Sequence, residues 1–227
     1  TEAGEVFSRL ATRLLNELAE AEMKISTAPL SGRLTVQCLP TFAMHWLMPR
    51  LSSFNELHPE LTVAVVTSTG SLNKITGFDI AIRRDPAHFG GIDPIPILKE
   101  SSMLVCSKDY LSHKSIDSPL KLQSHVKIEI RARKDLWTSW YNHFPADQDN
   151  AAQSLTLDHT FGAIQAAEDG LGIAVIPYLF CAKHIETGRL ISPFNEHPIE
   201  TGEYSLLVGD RKDEKVEKFV DWITAFS

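Results

Sequence analysis

Apolar residues fall at Phe7, Ala11, Leu14, Leu18, Ala21 and Ile25, spaced alternately four and three apart. That alternation is the seam of a coiled coil, and the proline-free stretch over residues 4–25 predicts one helix to carry it. Leu10 and Leu15 widen the stripe, so packing against a globular body is the competing reading. The run Ser26-Thr27-Ala28-Pro29-Leu30-Ser31-Gly32 follows at once as a linker punctuated by proline and glycine. A long helix set apart by such a linker is better explained by pairing with a second chain.

Beyond the linker the period changes. Residues 33–39 alternate and are rich in β-forming side chains, which predicts a strand. Pro40-Thr41-Phe42 opens a helix running to about His58, with Thr41 as its cap, Pro59 as its stop and Pro49 as a kink or a loosened turn. Further strands are expected over residues 61–67, 78–83, 101–106, 126–131, 154–158, 173–176 and 203–208. Helices are expected over residues 135–144, 160–169, 177–186 and 214–226. Gly170 and Gly188 close two of them, and the last presents Val216, Phe219, Val220 and Ile223 on one face. Strands alternating with helices imply an α/β fold with two lobes and a mostly parallel sheet covered on both faces. The pattern leaves open which strands share a sheet.

Composition narrows the classes. A chain of 227 residues, 43% hydrophobic and 22% charged, suits one large or two small globular domains. Its formal charge of -7 is spread along the chain, which argues against this segment gripping nucleic acid by itself. Cys38, Cys106 and Cys181 are odd in number, far apart and flanked by apolar residues. They read as small buried hydrophobes in a reducing compartment. No run approaches the roughly 20 apolar residues of a membrane span. The start lacks a basic-then-apolar leader and has no Met, as expected of a truncated or processed chain.

Enzyme chemistry finds little support. The nine histidines are scattered, with no His-Glu-x-x-His or Cys-x-x-Cys pair, so neither metal nor cofactor is expected. There is no Gly-x-Ser-x-Gly turn and no phosphate-binding glycine loop. Gly170-Leu171-Gly172 is too short for a dinucleotide fingerprint and lies between a helix and a strand, the wrong order.

Several stretches resemble one family, the LysR-type transcription regulators. Thr1-Glu2-Ala3-Gly4 and the long helix after it resemble the end of that family's winged helix-turn-helix and its linker helix. Leu30-Ser31-Gly32-Arg33-Leu34-Thr35-Val36 resembles the first sensor strand. Pro40-Thr41-Phe42-Ala43, Leu47-Met48-Pro49-Arg50-Leu51 and residues 54–59 resemble the first sensor helix, where a proline is usual. Phe78-Asp79-Ile80-Ala81-Ile82-Arg83, Val105-Cys106-Ser107 and Gly170-Leu171-Gly172-Ile173-Ala174-Val175-Ile176-Pro177 complete the match in order. Trp137-Thr138-Ser139-Trp140 and Thr201-Gly202-Glu203-Tyr204 resemble the branch holding the glycine-cleavage activator and the β-lactamase regulator. That branch often carries Arg-Tyr-Gly after its short strand, whereas this chain has Arg83-Arg84-Asp85-Pro86.

The resemblance implies two Rossmann-like lobes like those of type 2 periplasmic binding proteins, with a cleft between them. It implies a linker and dimerisation helix over residues 1–29, lobe I over 30–106 and 201–227, and lobe II over 107–200. The chain would cross after about Cys106 and return near residue 200. A winged helix-turn-helix outside this chain would read promoter DNA. The implied partners are a second copy, as dimer or tetramer, a small effector such as an amino acid or carboxylate, and RNA polymerase, all in the cytoplasm. A solute-binding protein of a transport system is the alternative. The heptad spacing, the absent secretory signal and the free cysteines favour the regulator.

Within such a fold, helix starts at the carboxyl ends of parallel strands offer free N–H groups to an anion. Thr41 and Phe42 stand at one such turn, Thr160 and Phe161 at the other, with N-capping as the competing role for the two threonines. Thr67 and Ser68 end the next strand and could add hydrogen bonds. Arg83 or Arg84 could neutralise an acidic effector, or simply pair with Asp85. Tyr204 lies at the second crossing by resemblance, and Ile128 and Glu129 would supply the opposing wall. Trp137 and Trp140 read as packing residues of the second lobe.

Overall fold

The computed structural model describes residues 32–68, 77–86, 92–120, 122–145, 153–194, 198–208 and 213–226. The seam positions Phe7, Ala11, Leu14, Leu18, Ala21 and Ile25 lie outside the described residues. Alternation drives β1 (Arg33–Cys38), which buries Leu34, Val36 and Cys38. It pairs in parallel with β2 (Thr62–Thr67) on one side and with β3 (Ile80–Arg84) on the other. Asp79, just before β3, locks this set together. Its carboxylate accepts from the Thr35 amide at 2.7 Å and faces Lys215 Nζ at 3.1 Å.

One continuous helix, α1, joins β1 to β2 through Pro40–Phe42, Ala43–Leu47 and Met48–Leu57. Its middle segment is a π-turn, with the Met48 amide reaching back to the Ala43 carbonyl. The wider turn immediately precedes Pro49, whose ring would otherwise press on the His45 carbonyl. Arg50 donates to the Trp46 carbonyl at 2.9 Å and lies 4.6 Å from the Trp46 ring centroid. The loosened turn expected from Pro49 therefore exists, and it falls on the N-terminal side of the proline.

A second parallel set comprises β5 (Val126–Ile130), β6 (Gln153–Leu157) and β7 (Ile173–Pro177). Its helices are α2 (Lys108–His113), α3 (Asp135–His143), α4 (Thr160–Glu168) and α5 (Tyr178–Glu186). The sequence pattern gave no sign of α2, which Ser107 caps by accepting from the Tyr110 amide at 3.1 Å. Gly170, with φ +73°, closes α4 as expected; amides of Gly170 and Leu171 satisfy the Ala167 and Ala166 carbonyls. Trp137 and Trp140 are buried in this half, in the packing role expected of them.

Two long antiparallel strands join the sets: β4 (Ile95–Val105) and β8 (Ile199–Val208). The order across the sheet is β2-β1-β3-β8-β4-β7-β5-β6. A mostly parallel sheet was expected, but the centre is antiparallel, because β3–β8, β8–β4 and β4–β7 all run in opposite directions. Both crossing strands also start earlier than their hydrophobic patterns suggest, since Pro96 and Gly202 interrupt the alternation. The last helix, α6 (Glu214–Thr224), buries Val216, Phe219, Trp222 and Ile223, while Val220 is only half-buried. Phe54 of α1 meets Phe219 and Trp222 edge-on at 5.3 and 5.2 Å, so the C-terminal helix packs with the first half.

Candidate functional site

The strand register turns the carboxyl ends of both parallel sets toward the crossing. Arg84, ending β3, pairs with Tyr204, which pairs in turn with Leu98 of β4. Pro177, ending β7, pairs with Ser102 of the same strand. Because β7 runs opposite to β3, the two ends face each other across residues 98–102, roughly 13 Å at the usual rise per residue. That span of β4 and residues 199–204 of β8 form the floor between the halves.

Thr41 lies at the start of α1 and Thr160 at the start of α4. Thr41 was expected to cap its helix, but Leu39 occupies the cap position and offers no side-chain bond. His159 does the same before Thr160. Both hydroxyls are thus released from N-capping. Thr67 is exposed at the end of β2, and the Ser68 amide bonds the Cys38 carbonyl at 3.1 Å, which holds this turn beside the start of α1. Phe161 is partly exposed and stacks on His159 at 5.3 Å.

Other expected residues have different tasks. Phe42, Ile128 and Tyr204 have almost no exposed surface, so they form the packing behind the floor rather than its open face. Phe42 sits 4.7 Å from Tyr204 and 5.0 Å from Trp46, between ring centroids. The Ile128 carbonyl accepts from the Trp137 indole at 2.9 Å, and Glu129 accepts from Thr156 at 3.4 Å. Arg83 is turned inward onto the Gln37 side chain at 2.7 Å. Arg84 pairs with Asp85 at 2.7 Å, as its competing reading held, and also donates to the Thr201 carbonyl at 2.7 Å.

The floor carries a charge network that local pattern did not reveal. Glu100, wholly buried on β4, receives both terminal nitrogens of Arg133, at 2.7 and 3.2 Å. Thr201 donates to Glu100 at 2.8 Å and shares a 2.7 Å hydrogen bond with Ser102. Arg133 also grips Asp135, which lies 3.3 Å from Arg84, so the network runs from the second half to the first. Burial works against the Arg133 charge, yet bonds to Asp135 and Glu100 outweigh it and hold the guanidinium above its ordinary range. Asp135 is likewise penalised by burial, but Arg133 and Arg84 carry its carboxyl below the usual range. Burial above all, with Glu100 nearby, raises the Tyr204 phenol. Gly202 makes the close approach possible: a Cβ there would stand 2.6 Å from an Asp85 oxygen, and its φ of +144° suits glycine. The only sequence hint was a carboxylate, Glu100, set just ahead of an apolar strand run.

A second link between the halves involves histidines. His45 of α1 lies 5.5 Å from His184 and 6.2 Å from Phe180, both on α5. His184 Nδ1 is 2.5 Å from Glu168, which also lies 3.4 Å from Arg189. Burial chiefly, and then His184, lowers the His45 pKa, with Glu168 opposing. The unfolded chain therefore binds the extra proton more readily. Stability is present above about pH 6.5 and is lost as pH falls through that range toward the folded pKa. Urea midpoints measured at pH 7.5 and 5.5 should converge in His45→Phe relative to the parent; equal slopes in both would refute this role.

The three cysteines are buried thiols. Burial pushes Cys38 up to about 12, against the opposing pull of Arg83, and raises Cys106 to about 11 and Cys181 to about 12. Thiols so raised are poor nucleophiles. Among the described residues no helix is long and apolar enough to cross a membrane.

The LysR substrate binding domain profile matches residues 27–227. The chain belongs to the LysR family. The glycine cleavage system transcriptional activator of Escherichia coli K12 is 30% identical over 99% of this chain and 75% of its own length. Its homolog in Haemophilus influenzae is 31% identical over 98% of this chain and 75% of its own. The effector domain of the Pseudomonas aeruginosa regulator AmpR superposes with a TM-score of 0.73 at 23% identity. That superposition covers 86% of this chain and 94% of that one. The two antiparallel crossings between parallel sets are thus the effector-binding fold of LysR regulators, of the type 2 periplasmic-binding class. This is the effector-binding region of a LysR-type transcription regulator. These relatives are named as transcription regulators, which leaves the solute-binding reading without support.

Proposed function

We propose that a small effector, an amino acid or small carboxylate, binds between the two halves and shifts the arrangement of paired chains to control transcription in the cytoplasm. One observation carries this reading: the carboxyl ends of both parallel sets face one floor, with Thr41 and Thr160 at the helix starts on either side. First-turn N–H groups there favour an anion. Arg84 and Arg133 are already engaged by the chain's own carboxylates, so helix starts and hydroxyls supply the recognition, with Thr67 and Ser68 beside them. Residues 1–29 pair with a second copy, giving a dimer or tetramer. Promoter DNA is read by the winged helix-turn-helix of the whole regulator, which then contacts RNA polymerase. A tenfold preference of the effector for one arrangement supplies about 1.4 kcal/mol of bias per site.

Thermal-shift screening against amino acids and small carboxylates identifies the effector. Thr160→Val should then weaken it about tenfold, the effect of one lost hydrogen bond. A full ligand-induced shift retained by both Thr41→Val and Thr160→Val would sink the proposed cleft. Leu14→Asp places a charge on the seam and should lower the mass seen by light scattering. An oligomer that survives this change, and deletion of residues 1–29, is not built on the seam.

A further inference from the structure

His45 and His184 bring two imidazoles together from different halves of the molecule, one on α1 and the other on α5. His45 meets the rings of Phe180 and His184 but makes no hydrogen bond through its side chain among the described residues. Its nitrogens keep exposed surface, and His184 keeps 14% of its side-chain surface, so neither ring is sealed from solvent.

Behind His184 stands Glu168, 2.5 Å from Nδ1. A carboxylate so close holds the ring proton on Nδ1 and leaves Nε2 a lone pair, which is how metal-ligating histidines are oriented. Two bonds of about 2.1 Å to one tetrahedral ion place imidazole centroids roughly 5.3 Å apart. The observed separation is 5.5 Å. Among the described residues, no group of three or more His, Cys, Asp and Glu side chains is gathered to hold an ion. The chain therefore offers two nitrogens, with Glu168 behind them and water to complete the coordination.

We propose that His45 and His184 form a binding site for a divalent transition-metal ion such as Zn²⁺, which ties α1 to α5 across the two halves. Imidazole nitrogens suit ions of this class. Burial chiefly, and then His184, keeps the His45 pKa below its ordinary value, so this ring is neutral and able to ligate near pH 7. Arg189, 3.4 Å from Glu168, competes for the same carboxylate and limits the affinity. Because the two ligands sit on separate halves, the ion favours one relative arrangement of them, whatever occupies the cleft. The histidines lie far apart in the chain, so no ligand motif marks them in the sequence.

Isothermal calorimetry of the tag-free chain with zinc chloride at pH 7.5 tests the site. Saturable binding in the micromolar range is expected. His45→Phe, which keeps a ring at that position, and His184→Ala should each weaken it at least about tenfold. Glu168→Gln should weaken it about 10–100-fold, the usual effect of removing a carboxylate behind a ligating histidine. Zinc should also raise the melting temperature of the parent but not of His45→Phe. Magnesium, which seeks oxygen ligands, should not displace it. Circular dichroism checks that each variant folds; if His184→Ala does not, His45→Phe, at a half-buried position, decides. No saturable zinc binding overturns the proposal, as does binding that His45→Phe leaves intact or that excess magnesium displaces.

Discussion

Replacing Arg133 with Met should lower the unfolding free energy by about 3–5 kcal/mol, the cost of leaving a buried charge without its partner. Glu100 has no exposed side-chain surface, and Arg133 supplies two of its hydrogen bonds. In the variant Glu100 keeps only lesser donors such as Thr201, so the deficit should be plain in urea unfolding. The double variant Glu100→Leu/Arg133→Met should recover part of the loss, because it leaves no orphaned charge. A deficit under about 1 kcal/mol, or a double variant as weak as the sum of the singles, would show that the pair does not act as described.

Phe42→Ala should cost a similar amount, about 3–5 kcal/mol, through the cavity left beneath the start of α1. The ring touches Trp46 on its own helix and Tyr204 on the returning strand, and it is wholly buried. It therefore ties the turn that carries Thr41 to the floor between the halves. Two readouts should move together. The urea midpoint falls, and the thermal shift given by any cleft ligand shrinks because Thr41 loses its support. A destabilisation under about 1 kcal/mol would mean that the ring is not packed as described.

The pieces of this fold that the sequence reveals are those written in consecutive residues. Alternation marks β1, an unbroken apolar run marks β7, and amphipathic spacing marks α6. The stop at Gly170 follows from its missing Cβ. Thr41 and Thr160 were legible as strand-to-helix junctions, but the capping role expected of Thr41, and held as the competing one for Thr160, falls to neither, since the cap positions are Leu39 and His159. Helix α2 escaped notice because six residues hold too little periodicity to stand out. Residues 1–29 gave a clear seam, and its pairing role is a proposal that Leu14→Asp tests.

The long helix pattern, the alternation of strands with helices and the ordered family motifs were thus determined by sequence alone, because each arises from neighbours within a few residues. The LysR effector fold follows from them. What only tertiary structure decided is the floor. The antiparallel pairing of β4 with β8 joins residues a hundred apart, as in the Thr201–Glu100 bond. The Glu100–Arg133 pair spans 33 positions and leaves no local spacing rule to detect it. A buried charge announces nothing in a linear pattern, because what makes it tolerable is a partner that only folding brings near.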